Sequence, residues 1–239
     1  MRKRFAPSSP SSQARRNTAF AASFHGQLDD AGFPPLKAWQ SAKRVLFNTD
    51  WQGKNSDPRR QTEVRLLWTP EFLYLKFVAR YCLITIFDDA GSNGRRDKLW
   101  DRDVAEVFLQ PDPTRLRRYK EFEVSPNGFW IDLEISNGRL QHLQSGLQRR
   151  VNINQAKKTW IAELAIPINS LTQHFSPASP WRANFFRVEG PAEPRFYSSW
   201  QPTQTTQPNF HVPERFGLLK FEPMPAIKPH KKKPSKSKR

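Results

Sequence analysis

Residues 99–113, LWDRDVAEVFLQPDP, bring several chemically capable side chains into one predicted strand and the turn before it. Trp100 leads the segment, and Asp101, Asp103 and Glu106 are interspersed with apolar residues. Carboxylates in such a run could be catalytic acids, calcium ligands, acceptors for sugar hydroxyls or ordinary solvated positions. The residues around them must decide among these roles.

Among these acids, Glu106 is the least easily explained as an ordinary solvated residue. By the two-residue period of a strand it shares a face with Val104 and Phe108, and the opposite face is also mostly apolar. A strand that is apolar on both faces is central in its sheet, and an acid there is costly unless it is paired or hydrogen-bonded. Arg118 or Arg187 could supply a structural partner, so a structural and a functional role both stay open.

The body of the chain predicts an all-β fold. Short apolar runs recur between turn signals, which is typical of a β-sandwich or barrel. TPEF at 69–72 and SPNG at 125–128 predict tight hairpin turns, and residues 166–175 predict a short helix with Pro167 at its start. We predict strands over residues 44–48, 62–69, 72–81, 103–110, 119–125, 129–135, 149–153, 159–166, 182–188 and 216–221.

The hairpin around SPNG carries further acids. Tyr119, Glu121 and Glu123 share one face of its first strand, whereas Asp132 and Glu134 share a face of its second. Because the turn makes these strands neighbours, we expect one apolar face and one face of aromatic and carboxylate side chains. Glu121 and Glu123 are therefore expected to be solvated outer positions.

The charge of the chain is concentrated at its ends. The 239 residues carry a net charge of +17, residues 1–24 hold five basic residues and no acid, and residues 228–239 hold seven and none. These segments are rich in Ser, Pro and Lys, which predicts disordered tails over residues 1–24 and 224–239 around one domain over residues 25–223. Such tails favour a solubilising role, and weak contact with nucleic acid or an anionic surface by counterion release is the alternative.

Three features of the sequence bear on disulfide bonding and on the location of the protein in the cell. A single cysteine, Cys82, excludes an internal disulfide. No transmembrane stretch is present, and the apolar residues 19–24 are fewer than the roughly 7–15 of a signal peptide. The sequence as written predicts a cytoplasmic location, or secretion if the start site is misassigned. It does not indicate the oligomeric state.

Catalysis and metal binding are two alternatives for the acids. A glycosidase needs two carboxylates roughly 5–10 Å apart, which Glu106 could form with Glu121 or Asp103. No nucleophile elbow, phosphate loop or zinc spacing is present. His211 is expected to fix its loop by hydrogen bonding.

Calcium is the one cofactor that the sequence suggests. The long loop over residues 82–102 gathers Asp88, Asp89, Asn93 and Asp97, and hard oxygen ligands suit Ca²⁺. The EF-hand pattern is absent, and clusters of this kind more often form turns.

Carbohydrate binding fits the residue types better than catalysis or calcium binding. Trp100 and Trp200 lie on the two longest loops, where a tryptophan is harder to bury in a core than in a strand. Their rings could stack on the apolar faces of a sugar while planar polar side chains bind its hydroxyls.

Five segments, in this order, resemble the carbohydrate-binding family 9-like domains. The resemblance covers roughly residues 39–221 and implies a single jelly-roll-like antiparallel β-sandwich of the DOMON-like group. The segments are TEVRLLWTPEFLYLKFVARY, LWDRDVAEVFLQPDP, RRYKEFEVSPNGFWIDLEI, WRANFFRVEG and SSWQPTQTTQPNFHVPERFGLLKF.

The resemblance also implies roles for particular residues. In sugar-binding members two tryptophans clasp a terminal sugar, and Trp100 and Trp200 resemble that pair. Glu106 resembles the glutamate that contacts sugar hydroxyls, and Asn184 and Arg187 would assist from the RANFFRVEG strand. Such modules also carry structural calcium.

The leading hypothesis is a non-catalytic carbohydrate-binding module, because binding explains the residues better than catalysis. The first alternative is a scaffold or interaction domain of the same fold without a sugar, whose basic tails recruit an acidic partner. The second alternative is a glycoside hydrolase.

Overall fold

The computed structural model describes residues 17–223. These residues form thirteen strands and one short helix, α1 (Ile168–Leu171), beside several single 3-10 turns. The strands are β1 (Thr18–Ser23), β2 (Val45–Phe47), β3 (Thr62–Trp68), β4 (Phe72–Arg80), β5 (Val104–Gln110), β6 (Arg118–Val124), β7 (Trp130–Ser136), β8 (Arg139–His142), β9 (Gln148–Asn154), β10 (Thr159–Pro167), β11 (Trp181–Glu189), β12 (Phe196–Ser199) and β13 (Gly217–Phe221).

The predicted all-β sandwich is confirmed. The strands form one curled sheet in the order β8-β7-β6-β5-β11-β13-β1-β3-β4-β10-β9, with β12 paired to β11 and β2 paired to β3. Most neighbours are antiparallel, but β1 pairs in parallel with both β13 and β3. The sandwich is therefore antiparallel except around its first strand.

The domain begins earlier in the chain than the sequence predicts. Residues 17–24 fall in the predicted tail, yet β1 lies between β13 and β3 and buries Ala19, Ala21 and Ala22. The small side chains of β1 give only a weak apolar pattern. Because β1 pairs in parallel with its neighbours, no hairpin turn in the sequence indicates the pairing either. The remainder of the predicted tails, residues 1–16 and 224–239, lies outside the described residues.

The interior of the sandwich follows the two-residue period of its strands. On β5 the inward side chains are Ala105, Val107 and Leu109, which join one large apolar cluster between the layers. Across that interior the rings of Phe77 on β4 and Phe185 on β11 meet edge to face at 6.3 Å between centroids.

A second apolar cluster lies on the outer face of β5, β6, β7 and β11. It includes Phe108, Ile131, Leu133 and Phe186, and the chain over residues 196–216 covers it with further aromatic side chains. Because residues 196–216 cover it, this outer face of the sheet is buried.

The register between β6 and β7 shows that Glu121 and Glu123 do not lie on the solvated face that the sequence predicts. Glu123 lies opposite Ile131, and Glu121 lies opposite Leu133. The carboxylates of β6 therefore share a face with the apolar side chains of β7, and Glu121 and Glu123 are buried instead of solvated. The predicted alternation along each strand is correct, but the expected matching of faces between the two strands is wrong.

All ten predicted strands are present, and the short helix is confirmed within residues 166–175. The missed strands are β1, β8 and β12, of which the last two have four residues each. Among residues 17–223, no helix has the length and apolar character needed to cross a lipid bilayer.

The position of β1 predicts the outcome of truncation. A chain that begins at residue 25 leaves the hydrogen-bonding edges of β13 and β3 unpaired, so we expect no cooperative thermal unfolding transition by circular dichroism. A chain that begins at residue 17 is the matched control and should unfold as the full chain does. Cooperative unfolding of the shorter chain at the full chain's midpoint would contradict the role of β1.

Candidate functional site

A cavity of about 290 Å³ lies on the outer face of β5 and β6, beneath the chain over residues 196–216. Its wall is mainly aromatic, and its floor contains carboxylates. The residues around it are Trp100, Glu106, Phe108, Glu121, Leu140, Val188, Arg195, Tyr197, Pro208, Asn209, Phe210 and His211.

Trp100 reaches the cavity because the loop before it is anchored at several points. Trp130 Nε1 donates to the carbonyl of Asn93 at 3.0 Å, and Asp103 N donates to the carbonyl of Thr85 at 2.9 Å. The single 3-10 turn over Leu99–Asp101 buries the leucine and leaves the tryptophan half-buried. The ring of Trp100 is thereby held against the cavity.

Arg195 joins Trp100 to a second aromatic side chain. Its Nη1 donates to the Trp100 carbonyl at 2.7 Å, its Nη2 donates to the Tyr197 hydroxyl, and its Nε donates to Glu193 at 3.0 Å. A planar guanidinium holds its donors in a fixed fork that points to several acceptors at once, whereas a lysine presents one compact ammonium group. Arg195 therefore sets the distance between two walls of the cavity.

The remaining wall is a stack of rings from the covering chain. Phe210 stacks on Phe186 with centroids 4.2 Å apart, and His211 lies 5.2 Å from Phe108. His211 Nδ1 and the Tyr119 hydroxyl are hydrogen-bonded at 2.9 Å. The prediction that His211 fixes its loop by hydrogen bonding is confirmed.

The floor holds three carboxylates from two paired strands. Glu106 on β5 lies directly opposite Glu123 on β6, and Glu121 is two residues away on the same face. The exposed fractions of Glu106, Glu121 and Glu123 are 2%, 3% and 0%. One oxygen from each approaches the others within 4.8 Å.

Burial and mutual repulsion perturb these acids. Loss of water raises the pKa of Glu106 well above its usual range, and the Glu121 carboxylate adds to the effect, whereas the charges of Arg195 and Arg187 oppose it. Burial likewise raises the pKa of Glu123, with further contributions from Glu106 and Glu121. Burial also raises the pKa of Glu121.

Two of the five predicted site residues, Trp100 and Glu106, meet at this cavity. The structure does not bring Trp200 to them. Trp200 packs against the interior of the sandwich, with its ring 5.4 Å from that of Phe185 and in close contact with Gly217. Trp100 packs against the outer cluster, so the two tryptophans lie on opposite faces of the sheet and form no clasp.

Asn184 and Arg187 are also absent from the cavity lining. The side-chain amide of Asn184 is hydrogen-bonded to backbone groups. Its Oδ1 accepts from Phe185 N and Gln201 N, and its Nδ2 donates to the Gln201 carbonyl. It thereby fixes the chain that leaves β12.

Arg187 is fully buried in the interior, where it does not contact Glu106. Its Nη2 lies 3.4 Å from Glu189 and 3.7 Å from Asp103, and its guanidinium faces the ring of Trp160 at 5.1 Å. Arg118, the other partner considered for Glu106, pairs with Glu134 at 2.6 Å. Neither arginine therefore forms an ion pair with Glu106.

The loop acids suggested for calcium lie apart from the cavity floor. Asp89 lies 3.4 Å from Arg96, and Asp97 lies 3.8 Å from His142. Within residues 17–223, the only set of three acidic, histidine or cysteine side chains with ligand atoms within 4.8 Å is Glu106, Glu121 and Glu123.

The sequence pattern missed most of the wall. Tyr197 lies in the four-residue strand β12, and Arg195, Asn209 and Phe210 lie outside the strands. Nothing local in the sequence indicates that this part of the chain folds over β5 and β6. The spacing between Glu121 and Glu123 is visible in the sequence, but their burial depends on the register of β6 with β7.

An aromatic-walled cavity with polar groups at its floor is the kind of site at which proteins bind small ligands. The chain belongs to the carbohydrate family 9 binding domain-like family, whose model matches residues 36–222. The resemblance drawn from the five sequence segments is thereby confirmed.

Known proteins resemble this chain in sequence or in fold, all at low sequence identity. An extracellular protein of Arthroderma benhamiae is 24% identical over 204 residues, which cover 78% of this chain and 88% of that protein. A crystal structure of a putative carbohydrate-binding protein from Bacteroides uniformis has 17% identity and a TM-score of 0.67, covering 86% of this chain and 99% of that one. A family 9 carbohydrate-binding module of Caldicellulosiruptor kristjanssonii, in complex with cellotriose, has 13% identity and a TM-score of 0.63, covering 87% and 95%.

The two tryptophans should differ in their effect on stability. Trp200 is half-buried like Trp100, but its ring packs on the interior core and closely approaches Gly217, so we expect Trp200→Ala to lower the free energy of unfolding in urea by about 3 kcal/mol. Trp100→Ala, which truncates a half-buried ring beside a cavity, should cost clearly less. A Trp200→Ala variant within about 0.5 kcal/mol of the wild type would contradict its packing role, since surface substitutions fall in that range.

Proposed function

We propose that this chain is a non-catalytic carbohydrate-binding module whose sugar occupies the cavity beside Trp100. The observation that carries the proposal is the combination of aromatic walls with a buried polar floor in one cavity. Sugars present apolar C–H faces and polar hydroxyl edges, so they need both kinds of surface at fixed positions.

Each surface of the cavity has a role in this proposal. The ring of Trp100 would stack on one face of the sugar, and Tyr197 or Phe210 would supply the second ring that Trp200 does not. Glu106 and Glu121 would accept hydrogen bonds from hydroxyls at the floor. Because burial raises the pKa of both groups, a protonated carboxyl at this position can donate as well as accept a hydrogen bond, as a sugar hydroxyl does.

The dimensions of the cavity support a small ligand. Its volume of about 290 Å³ is near the lower end of the range for ligand pockets, which suits one terminal sugar unit better than an enclosed chain. The related module bound to cellotriose supports the same class of ligand. We therefore expect recognition of the end of a glycan.

The arrangement of acids favours binding over hydrolysis. A glycosidase places two carboxylates on either side of the scissile bond and separates their pKa values into an acid and a base. Here the acids lie together on one surface, and burial raises the pKa of each of them. They resemble a binding floor more than a catalytic pair.

Sugar binding should depend on Trp100 and not on Trp200. In calorimetric titrations with glucose and cello-oligosaccharides, we expect Trp100→Ala to weaken binding at least tenfold, about 1.4 kcal/mol, because the stacking surface is lost. The matched control, Trp200→Phe, keeps an aromatic ring in the interior and should bind within about twofold of the wild type when corrected for folded protein.

Two results would overturn this proposal. If the folded wild type binds none of these sugars nor any glycan on an array, the fold serves a scaffold role. If an aryl glycoside is turned over and Glu106→Gln abolishes the turnover, the protein is a hydrolase.

A further inference from the structure

The three glutamates at the cavity floor form an unusual electrostatic environment. Glu106 and Glu123 face each other across the β5–β6 ladder, and Glu121 is next along the same face. Their neighbours on that face are apolar, including Ile131 and Leu133 directly across from the β6 acids. Three carboxylates thus share a site from which water is almost entirely excluded.

Several of their oxygens have no hydrogen-bond donor. Glu121 and Glu123 lie within hydrogen-bond reach of each other, which needs a proton on one of them. Among the residues that the structure describes, no other side chain or backbone group donates to Glu106 Oε1, Glu121 Oε2 or either carboxylate oxygen of Glu123. Glu123 is fully buried and directed into the group that the other two acids complete. Buried polar atoms in native proteins are nearly always satisfied, so this site calls for a ligand that the side chains alone do not supply.

The nearby cations are already engaged elsewhere. Arg195 donates to Glu193, to the Trp100 carbonyl and to Tyr197, and Arg187 lies on the opposite face of β11 beside Asp103 and Glu189. No ion pair links either arginine to the three glutamates in the described part of the chain. The ionised glutamates therefore have no cationic side chain to pair with, and either protons or a bound cation must neutralise them.

We propose that Glu106, Glu121 and Glu123 bind one hard divalent cation, with Ca²⁺ as the favoured ion, at the floor of the cavity. Oxygens that share a Ca²⁺ ion at 2.3–2.6 Å lie no more than about 5 Å apart, which agrees with the spread of 4.8 Å here. A donor set made only of carboxylates suits hard ions such as Ca²⁺, Mg²⁺ and Mn²⁺ better than ions that prefer thiolate or imidazole ligands.

Calcium suits this site better than magnesium. Ca²⁺ accepts six to eight oxygens in irregular geometry, whereas Mg²⁺ demands near-ideal octahedral coordination and gives up its water reluctantly. Glu106 and Glu121 line the cavity, so the open side of the cation faces its occupant. The effect on sugar binding rests on the proposed function, because hydroxyls of the sugar would then complete the coordination.

The test is calorimetric titration of the full chain after EDTA treatment and desalting, with CaCl₂, MgCl₂ and MnCl₂ as separate titrants. We expect one Ca²⁺ per chain and a rise of several degrees in the thermal midpoint on its addition. Mg²⁺ should bind more weakly than Ca²⁺.

Glu123→Gln is the sharpest variant because Glu123 does not line the cavity. It removes one ligand and one negative charge from the buried group, so the calcium-free protein should stay folded with an unchanged or higher thermal midpoint. We expect its affinity for Ca²⁺ to fall at least tenfold and the calcium-induced rise in midpoint to disappear. The double variant Asp89→Asn/Asp97→Asn, which alters the exposed loop acids, is the matched control and should bind Ca²⁺ as the wild type does.

Defined outcomes overturn the inference. A folded wild type that binds none of the three ions shows that protons, not a cation, neutralise the glutamates. Binding that survives Glu123→Gln and is lost in the loop variant moves the site to residues 82–102. Sugar titrations in EDTA and in CaCl₂ separate the two proposals, because calcium binding without sugar binding overturns only the proposed function, and sugar binding without calcium binding overturns only the cation site.

Discussion

The register between β6 and β7 is the constraint on which the candidate site depends. Because side chains alternate along a strand, a shift by one residue would exchange the two faces of β6. In the observed register Glu121 and Glu123 lie beside Ile131 and Leu133 and beneath the covering chain. The same alternation places Phe122 and Val124 in the interior, so the core of the sandwich and the acidic floor are fixed together.

The chain over residues 196–216, which shields the three glutamates from solvent, contains little regular secondary structure. Phe210 and Phe216 bury themselves against the outer cluster, and Arg195 joins that segment to the backbone at Trp100. The wall of the cavity is therefore assembled from two loops distant in sequence, each held by contacts with a rigid sheet. A binding surface on loops over a rigid scaffold is a common arrangement, since loops can change while the core persists.

Much of the fold is predictable from the sequence because its signals are local. Alternation and turn residues identify ten strands, and the apolar neighbours of Glu106 along its strand predict that its carboxylate is buried. Non-local information is missing from such patterns. The partner of a strand decides which face is covered, and the sequence around Trp200 does not reveal that its ring faces the interior. The strand β1 is not recognisable from the sequence, because its residues are small and its parallel neighbours are distant along the chain.

The parallel pairing of β1 and β13 has a mechanical consequence. Thr18 lies opposite Leu218 and Ala21 opposite Phe221, so the two terminal strands of the described chain run side by side in the same direction. A tension applied between the two ends would pull these strands past each other along their length. All of their shared hydrogen bonds would then bear the load together, instead of breaking one by one as in a peeled hairpin. The sandwich is in this respect built to resist stretching between its ends.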